Sequence, residues 1–210
     1  MNEGYATLEA VSTWVASTAM RYSSTHKQET RARLLASSRS IAKRGGFAST
    51  GVDALMSAIG LTGGAFYSHF PSKQALFEEL VREELQNSAH MLAGHDDASA
   101  DHVAKRLRGY LSSFHAANPE TGCVLPTLGP EIARAGPAVR KAAEASLRHT
   151  QESWHRRLED PDAAWALIAQ CVGALVLARS VESDKIRKEI LAACRRYISR
   201  MHSLELDKKT

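Results

Sequence analysis

Apolar residues recur at helical spacing along most of the chain. Within residues 50–60 they occupy positions i, i+3, i+4 and i+7 of one helix face: Val52, Leu55, Met56 and Ile59. No long alternation of apolar and polar residues and no Asn-Gly turn favours a β-strand or a hairpin. The pattern therefore predicts an all-α fold of about nine helices.

Capping and terminating residues divide residues 25–93 into four predicted helices. The first should begin near Thr25, whose spacing to Gln28 resembles a capping box, and end at Gly45. Each of the next three should begin at a Thr or Ser N-cap. We expect them to span residues 50–60, 62–69 and 72–93. Residues 1–24 have no strong pattern, which predicts an extension that is either disordered or weakly helical.

The rest of the chain, residues 89–205, is predicted to form a larger helical domain. After a turn at 94–100, one apolar stripe predicts a helix through Val103, Leu107, Tyr110, Leu111 and Phe114. Residues 118–136 carry three prolines and three glycines, so we expect a broken segment around one short helix. Long helices should follow over residues 137–158, 162–180 and 186–201. The second of these is apolar nearly all round, which predicts burial in a core or against a partner chain.

Basic residues are concentrated near the N-terminus. The net charge is +4, but residues 21–73 contain eight Lys or Arg and two acidic residues, a balance of +6, so the remainder sums to −2. This distribution is typical either of a nucleic-acid-binding module or of a solvated basic face. Three separate cysteines without a C-x-x-C pair, and no signal-peptide pattern, favour a reduced cytoplasmic protein.

The helices predicted over residues 50–60 and 62–69 form a candidate helix-turn-helix, at about residues 51–70. In this motif the second helix enters the DNA major groove. Phe66 and Phe70 should face the core, which leaves Tyr67 on an outward face. We expect Tyr67 to contact DNA; the alternative is packing at the rim of the domain.

Two glycines, Gly63 and Gly64, open the second helix of this motif, although each costs up to about 1 kcal/mol relative to alanine. We expect them to allow close approach of the DNA backbone. Three further residues are candidate phosphate contacts. Lys73 lies in the first turn of its helix, where a cation opposes the helix dipole, and a nearby phosphate would offset that cost. Thr50 lies at a helix start, where it can donate its hydroxyl and its backbone N–H to a phosphate. His69 either binds phosphate or is an imidazolium stabilised by the helix C-terminus.

Several of these motifs together resemble the TetR/AcrR family of bacterial transcriptional regulators. The matching residues are E-T-R at 29–31, G-F at 46–47, T-G-V-D at 50–53, G-L-T-G-G-A-F-Y-S-H-F at 60–70 and P-S-K-Q-A-L-F at 71–77. The resemblance is specific over about residues 27–87. One departure is Gly63, because the family often has a polar or basic base-reading residue there.

The resemblance implies an all-helical homodimer. A DNA-binding domain, residues 25–88, would read a palindromic operator, and the C-terminal domain would bind a small-molecule effector. The last two long helices would pair with their copies in a four-helix bundle. DNA contacts carried over from the family motif are Thr50, Thr62, Gly63, Gly64, Tyr67, His69 and Lys73. The implied function is a repressor that a ligand releases from DNA, without enzymatic activity, cofactor or metal.

Candidate residues for the effector site come from the broken segment and the apolar helices. They are Phe114, His115, Cys123, Trp154 and Gln170. Cys123 has two interpretations: a thiol activated near a helix start, which would sense oxidants or electrophiles, or a buried inert cysteine.

Two other classes of function are open. The first is an architectural DNA-binding protein without an effector, which would bind with weak sequence preference and steep salt dependence. The second is a metal-dependent helical enzyme. Its candidate ligands cluster at the turn near residue 95: His90, His95, Asp96, Asp97, Asp101 and His102. Caps and turns account for such residues more simply.

Overall fold

The computed structural model describes residues 8–94, 99–204 and 206, with side chains described from residue 25 onward. In these residues the fold is all-α, as predicted. The α-helices are α1 (Leu8–Gly45), α2 (Val52–Ser57), α3 (Lys73–Ala93), α4 (Ala100–Tyr110), α5 (Ser113–Ala117), α6 (Leu125–Arg134), α7 (Pro137–Leu158), α8 (Pro161–Arg179) and α9 (Asp184–His202). Two 3₁₀ helices are η1 (Gly63–Ser68) and η2 (Pro119–Thr121).

The start of the first helix differs from the prediction. Helix α1 begins at Leu8, so Thr25 lies within it and is not its N-cap. No proline or glycine interrupts residues 8–44, and a lone capping signal does not end a helix without such a breaker. Most of the predicted extension is therefore part of α1.

The second and third helices are shorter than expected. Gly51 is the N-cap residue of α2, and no side chain caps it. The predicted N-cap Thr50 instead donates its hydroxyl to the Gly46 carbonyl oxygen at 3.3 Å. Thr62 does occupy the N-cap position of η1, in an extended conformation, but its side chain forms no capping bond. The two glycines that open η1 disfavour the α-helix, which is consistent with its 3₁₀ form.

Several boundaries agree with the sequence patterns. The Ser72 side chain accepts a hydrogen bond from the Ala75 N–H at 3.0 Å and caps α3, which ends at Ala93 as predicted. Helix α7 has the predicted bounds. Strong local signals specify where these two helices begin: a serine cap for α3 and a proline in the first turn for α7.

The predicted helix that follows the turn at 94–100 is split in two. Leu111 leaves the helical conformation, and Ser112 caps a new short helix, α5, by accepting a hydrogen bond from the His115 N–H at 3.1 Å. This break turns Phe114 away from the apolar stripe, and its side chain is 69% exposed. Residues 118–136 form η2 and then α6, a ten-residue helix with Pro126 in its first turn.

Two buried apolar clusters organise the molecule. The first contains residues of α1, α2, η1 and α3, but also five later residues: Val124, Leu128, Ile132, Val139 and Ala143. The second lies among α4, α5, α8 and α9, with Trp154 of α7 fully buried in it. Helices α6 and α7 therefore complete the core of the N-terminal helices.

Helix α8 is long and apolar enough to cross a membrane by length and composition alone. It packs between α7 and α9, and it contributes Leu167, Ile168, Cys171 and Leu175 to the second cluster. These contacts account for the apolar residues on one face of α8, whereas Trp165, Val176 and Leu177 of the same helix are exposed.

Candidate nucleic-acid interface

Helix α2 and η1 are held together by apolar side chains on their inner faces. Phe66 and Phe70 are buried as predicted, with ring centroids 6.0 Å apart, and they lie in the same cluster as Leu55 and Met56. Gly60 in the connecting turn has a φ of +77°, a conformation that glycine adopts without strain. The buried face fixes which residues of η1 point outward.

Tyr67 is the most prominent side chain of that outward face. It is 67% exposed, and its ring packs edge-to-face on Phe66 with centroids 5.4 Å apart. The contact orients the base of the ring and leaves the phenol facing solvent. Thr62 and Gly64 are also exposed. Three of the predicted DNA contacts at η1, Thr62, Gly64 and Tyr67, are thus open to solvent.

The two glycines of η1 have different surroundings. A Cβ at Gly63 would lie 1.8 Å from Oδ1 of Asp53, a residue in the first turn of α2. Gly64 has no neighbour within 4 Å of an added Cβ. A contact within the protein thus also favours glycine at position 63, and clearance for DNA at both glycines stays a prediction. Only Gly64 opens onto free surface.

Lys73 has a partner within the protein. Its Nζ donates to the Ala48 carbonyl oxygen at 2.9 Å and lies 5.0 Å from the centre of the Phe47 ring. The ammonium has three N–H donors, so this bond leaves others for a phosphate. Lys73 thus links the start of α3 to the connection between α1 and α2.

His69 follows η1 and is half-buried. Burial lowers the pKa of its imidazole, and the nearby charges of Lys27 and Arg31 lower this pKa further. Neutral imidazole is therefore favoured near neutral pH, which argues against the imidazolium considered from the sequence. Its Nδ1 is buried and has no hydrogen-bond partner among the described residues.

Glutamates of α3 and η2 neutralise part of the basic N-terminal segment. Arg31 pairs with Glu79, and Arg39 pairs with Glu83 and Glu84. Lys43 pairs with Glu84 at 2.6 Å, and Arg44 with Glu120 at 3.3 Å. Four of the eight cations counted in residues 21–73 thus have carboxylate partners outside that segment. The positive surface is weaker than the sequence count suggests.

A second site, a cavity of about 400 Å³, lies among α3, α4, α5 and η2. Its lining residues are Met91, His102, Lys105, Arg106, Gly109, Tyr110, Phe114, His115, Thr121 and Gly122. Two predicted effector residues, Phe114 and His115, therefore lie at one cavity. Cys123, Trp154 and Gln170 do not line it; Cys123 and Trp154 are fully buried core residues.

Both ring nitrogens of His115 are bonded to backbone groups. Nδ1 donates to the Tyr110 carbonyl oxygen at 2.7 Å, and Nε2 accepts from the Cys123 N–H at 2.9 Å. These partners specify the neutral tautomer with a proton on Nδ1. Gly122 allows the close approach, because a Cβ there would lie 2.2 Å from Nε2. His115 thus connects the backbone at Tyr110 to the backbone at Cys123 in the cavity wall, and only its ring carbons remain to contact a ligand.

Cys123 is fully buried, and burial raises the pKa of its thiol. A protonated buried thiol is a poor nucleophile, which favours the inert interpretation over an electrophile sensor. The metal-site alternative also lacks support. No cluster of three or more metal-ligating side chains occurs in the part of the chain that the structure describes, although His95, Asp96 and Asp97 lie outside it.

An exposed short helix packed on α2 through buried phenylalanines is the arrangement of a helix-turn-helix DNA-binding protein. Residues 34–80 match the family described as bacterial regulatory proteins, tetR family. This match agrees with the resemblance of the motifs at residues 27–87 to the TetR family. Regulators of this family bind DNA operators and act as dimers, and they are not enzymes.

Solved structures of TetR-family regulators share the fold over most of the chain. A regulator from Agrobacterium tumefaciens superimposes with a TM-score of 0.69 at 21% identity, covering 84% of this chain and 98% of that one. A regulator from Chloroflexus aurantiacus gives 0.61 at 24% identity, covering 84% and 97%. The reduced form of NemR from E. coli gives 0.63 at 20% identity, covering 84% and 100%. The search of curated proteins returned no significant match.

Proposed function

We propose that this chain is a repressor that reads a palindromic operator and leaves it when a small molecule binds. The observation that carries the DNA-binding part is the outward face of η1, where Tyr67 is held by Phe66 and exposed. In this proposal Tyr67 and Thr62 reach base edges, and Gly64 lets the duplex approach. Thr50, His69 and Lys73 contact phosphates on either side. Gly63 provides the close packing of η1 on α2.

Residues 25–88 act as the DNA-binding domain in this proposal, and residues 89–205 as the effector and dimerisation domain. The dimer forms through α8 and α9, which carry exposed apolar side chains. These are Trp165, Val176, Leu177, Ile186, Tyr197 and Met201. A patch of this kind is typical of a protein interface. Two copies joined there would present two η1 helices to half-sites about one helical turn apart or a multiple of it.

The effector binds in the cavity at α3, α4 and α5. Met91 and Phe114 offer apolar contacts, whereas Lys105, Arg106 and His102 line the same space with cationic or titratable groups. No acidic side chain lines it within the described residues. This lining suits an apolar molecule that carries a carboxylate or another anionic group. Such a ligand would favour the dimer state whose η1 spacing does not match the operator.

Selection of duplexes from a random DNA pool tests the DNA-binding proposal, followed by footprinting of the selected site. A protected palindrome supports a sequence-specific regulator. Equal affinity for all duplexes, with a steep dependence on salt, supports the architectural alternative. The Tyr67→Ala variant should keep its fold and lose specific binding, since Tyr67 is exposed; unchanged affinity for the selected duplex would remove Tyr67 from the proposed readout.

A thermal-shift screen tests the effector proposal, because a ligand that binds only the folded protein raises the melting temperature. A panel of aromatic carboxylates and their uncharged amides separates the charge from the apolar part. We expect the acids to stabilise the protein and the amides to do so less. Equal shifts for both would contradict the anionic class.

A further inference from the structure

The connection between α1 and α2, residues 46–51, is bonded to a carboxylate from a distant helix. Glu131 of α6 accepts the Phe47 N–H at Oε1 and the Ala48 N–H at Oε2, each at 2.9 Å. The bonds join residues 84 and 83 positions apart in the chain. Glu131 lies outside both the matched family segment and the predicted DNA-binding domain.

Gly46 makes room for this carboxylate. Its φ is +85°, and a Cβ there would lie 2.8 Å from Oε1 of Glu131. Two successive backbone N–H groups directed at one carboxylate form a bidentate, charge-assisted contact. Two hydrogen bonds to one carboxylate fix both the position and the orientation of the connection relative to α6.

The same connection carries candidate DNA contacts. The Thr50 N–H donates to the Phe47 carbonyl oxygen at 3.2 Å, so the position of Thr50 depends on that of Phe47. Lys73 donates to the carbonyl of Ala48, the residue whose N–H Glu131 holds. Glu131 and Lys73 thus bond to the N–H and the carbonyl of the same residue, and the Phe47 ring stacks on Phe77.

We propose that Glu131 is a positioning residue for DNA binding: it holds residues 46–51 so that Thr50 and Lys73 meet the phosphate backbone together. The proposal rests on the proposed DNA-binding function. Its physical basis is preorganisation. A segment that is ordered before binding loses less conformational entropy on the duplex than one that must be ordered there.

The charge of Glu131 makes the proposal testable by sign. Removal of a negative charge near DNA should tighten binding if the carboxylate acts only through its field, because it would otherwise repel phosphates. Removal of a clamp should weaken binding. The Glu131→Gln variant removes the charge and keeps one oxygen acceptor, and Glu131→Leu removes both acceptors. The matched control is Glu144→Gln, which removes the same charge from an exposed position of α7.

The experiment measures affinity for the duplex selected by the wild-type protein, over a range of salt concentrations. We expect Glu131→Gln to lose about tenfold in affinity and Glu131→Leu about thirtyfold, because the variants remove one and both of the acceptors that order residues 46–51 before DNA binds. The slope of log affinity against log salt should stay unchanged, because Glu131 itself touches no phosphate. Glu144→Gln should bind like the wild type.

Amide hydrogen exchange on the free protein gives a second readout that does not depend on DNA. The Phe47 and Ala48 amides should exchange faster in both Glu131 variants, while amides in the middle of α7 keep their protection. Tighter or unchanged binding by Glu131→Gln, with wild-type binding intact, overturns this proposal alone. Failure of the wild type to select any duplex overturns the proposed function as well. If the Glu131 variants only melt at a lower temperature, with unchanged affinity and unchanged local exchange, the role of Glu131 is purely structural and the positioning proposal is overturned.

Discussion

Lys43 and Glu84 form a buried ion pair, and we expect replacement of Glu84 to destabilise the protein more than replacement of Lys43. The two side chains are only 3% and 2% exposed, and Nζ lies 2.6 Å from Oε2. Lys43 also donates to the Gly122 carbonyl oxygen at 2.8 Å. The pair therefore joins α1 to α3 and, through Gly122, to the wall of the cavity at α4 and α5.

The remaining neighbours determine the magnitude. In Lys43→Met, Glu84 keeps Arg39, whose Nε lies 2.9 Å from Oε1, and the Asn87 amide at 3.2 Å. In Glu84→Leu, the ammonium of Lys43 stays buried with one neutral carbonyl partner. Loss of one partner of a buried pair costs about 3–5 kcal/mol. We expect Glu84→Leu to fall in that range, and Lys43→Met to cost about 1–3 kcal/mol because Arg39 still compensates the carboxylate.

Urea unfolding at pH 7 and one fixed protein concentration measures both values, since the stability of a dimer depends on concentration. Arg44→Met is the control, because the Arg44 side chain is 65% exposed and its ion pair with Glu120 should contribute little to the stability. Equal costs for the two variants, or a larger cost for Lys43→Met, would refute this account of the site.

Three further results are expected. Lys73→Ala should weaken binding to all duplexes and lower the salt slope by about 1, as titration against salt would reveal; an unchanged slope would exclude a phosphate contact. Leu177→Lys should convert the dimer to a monomer in sedimentation if α8 forms the interface, because it places a charge in the apolar patch; a stable dimer would locate the interface elsewhere. The pKa of His115 is lowered, mainly by burial, so the stability that its neutral form provides is present above about pH 6.5 and lost as pH falls through the lower folded pKa. His115→Gln should therefore be less stable than the wild type at pH 8 by urea unfolding, and the difference should narrow toward pH 5; a constant difference would refute this.

The sequence by itself determined the elements whose signals are local. Helical periodicity, the Ser72 cap and the proline at the start of α7 act between residues a few positions apart, so they are legible without tertiary contacts. The helix-turn-helix and its outward Tyr67 follow from the same periodicity, because Phe66 and Phe70 occupy one face of η1. The family motif indicated the class of function, and the residues that match the family model lie within 34–80.

Only the tertiary structure decided which partners these residues have. The carboxylates that neutralise Arg31, Arg39 and Lys43 lie 41–48 positions along the chain, and the carboxylate of Glu131 that holds Phe47 lies 84 positions away. The sequence likewise does not show that Asp53 lies against Gly63, because that contact depends on how η1 packs on α2. Periodicity reports which face of a helix is apolar, but not which helix covers it. Charge neutralisation, the clamp on residues 46–51 and the cavity wall all depend on that packing.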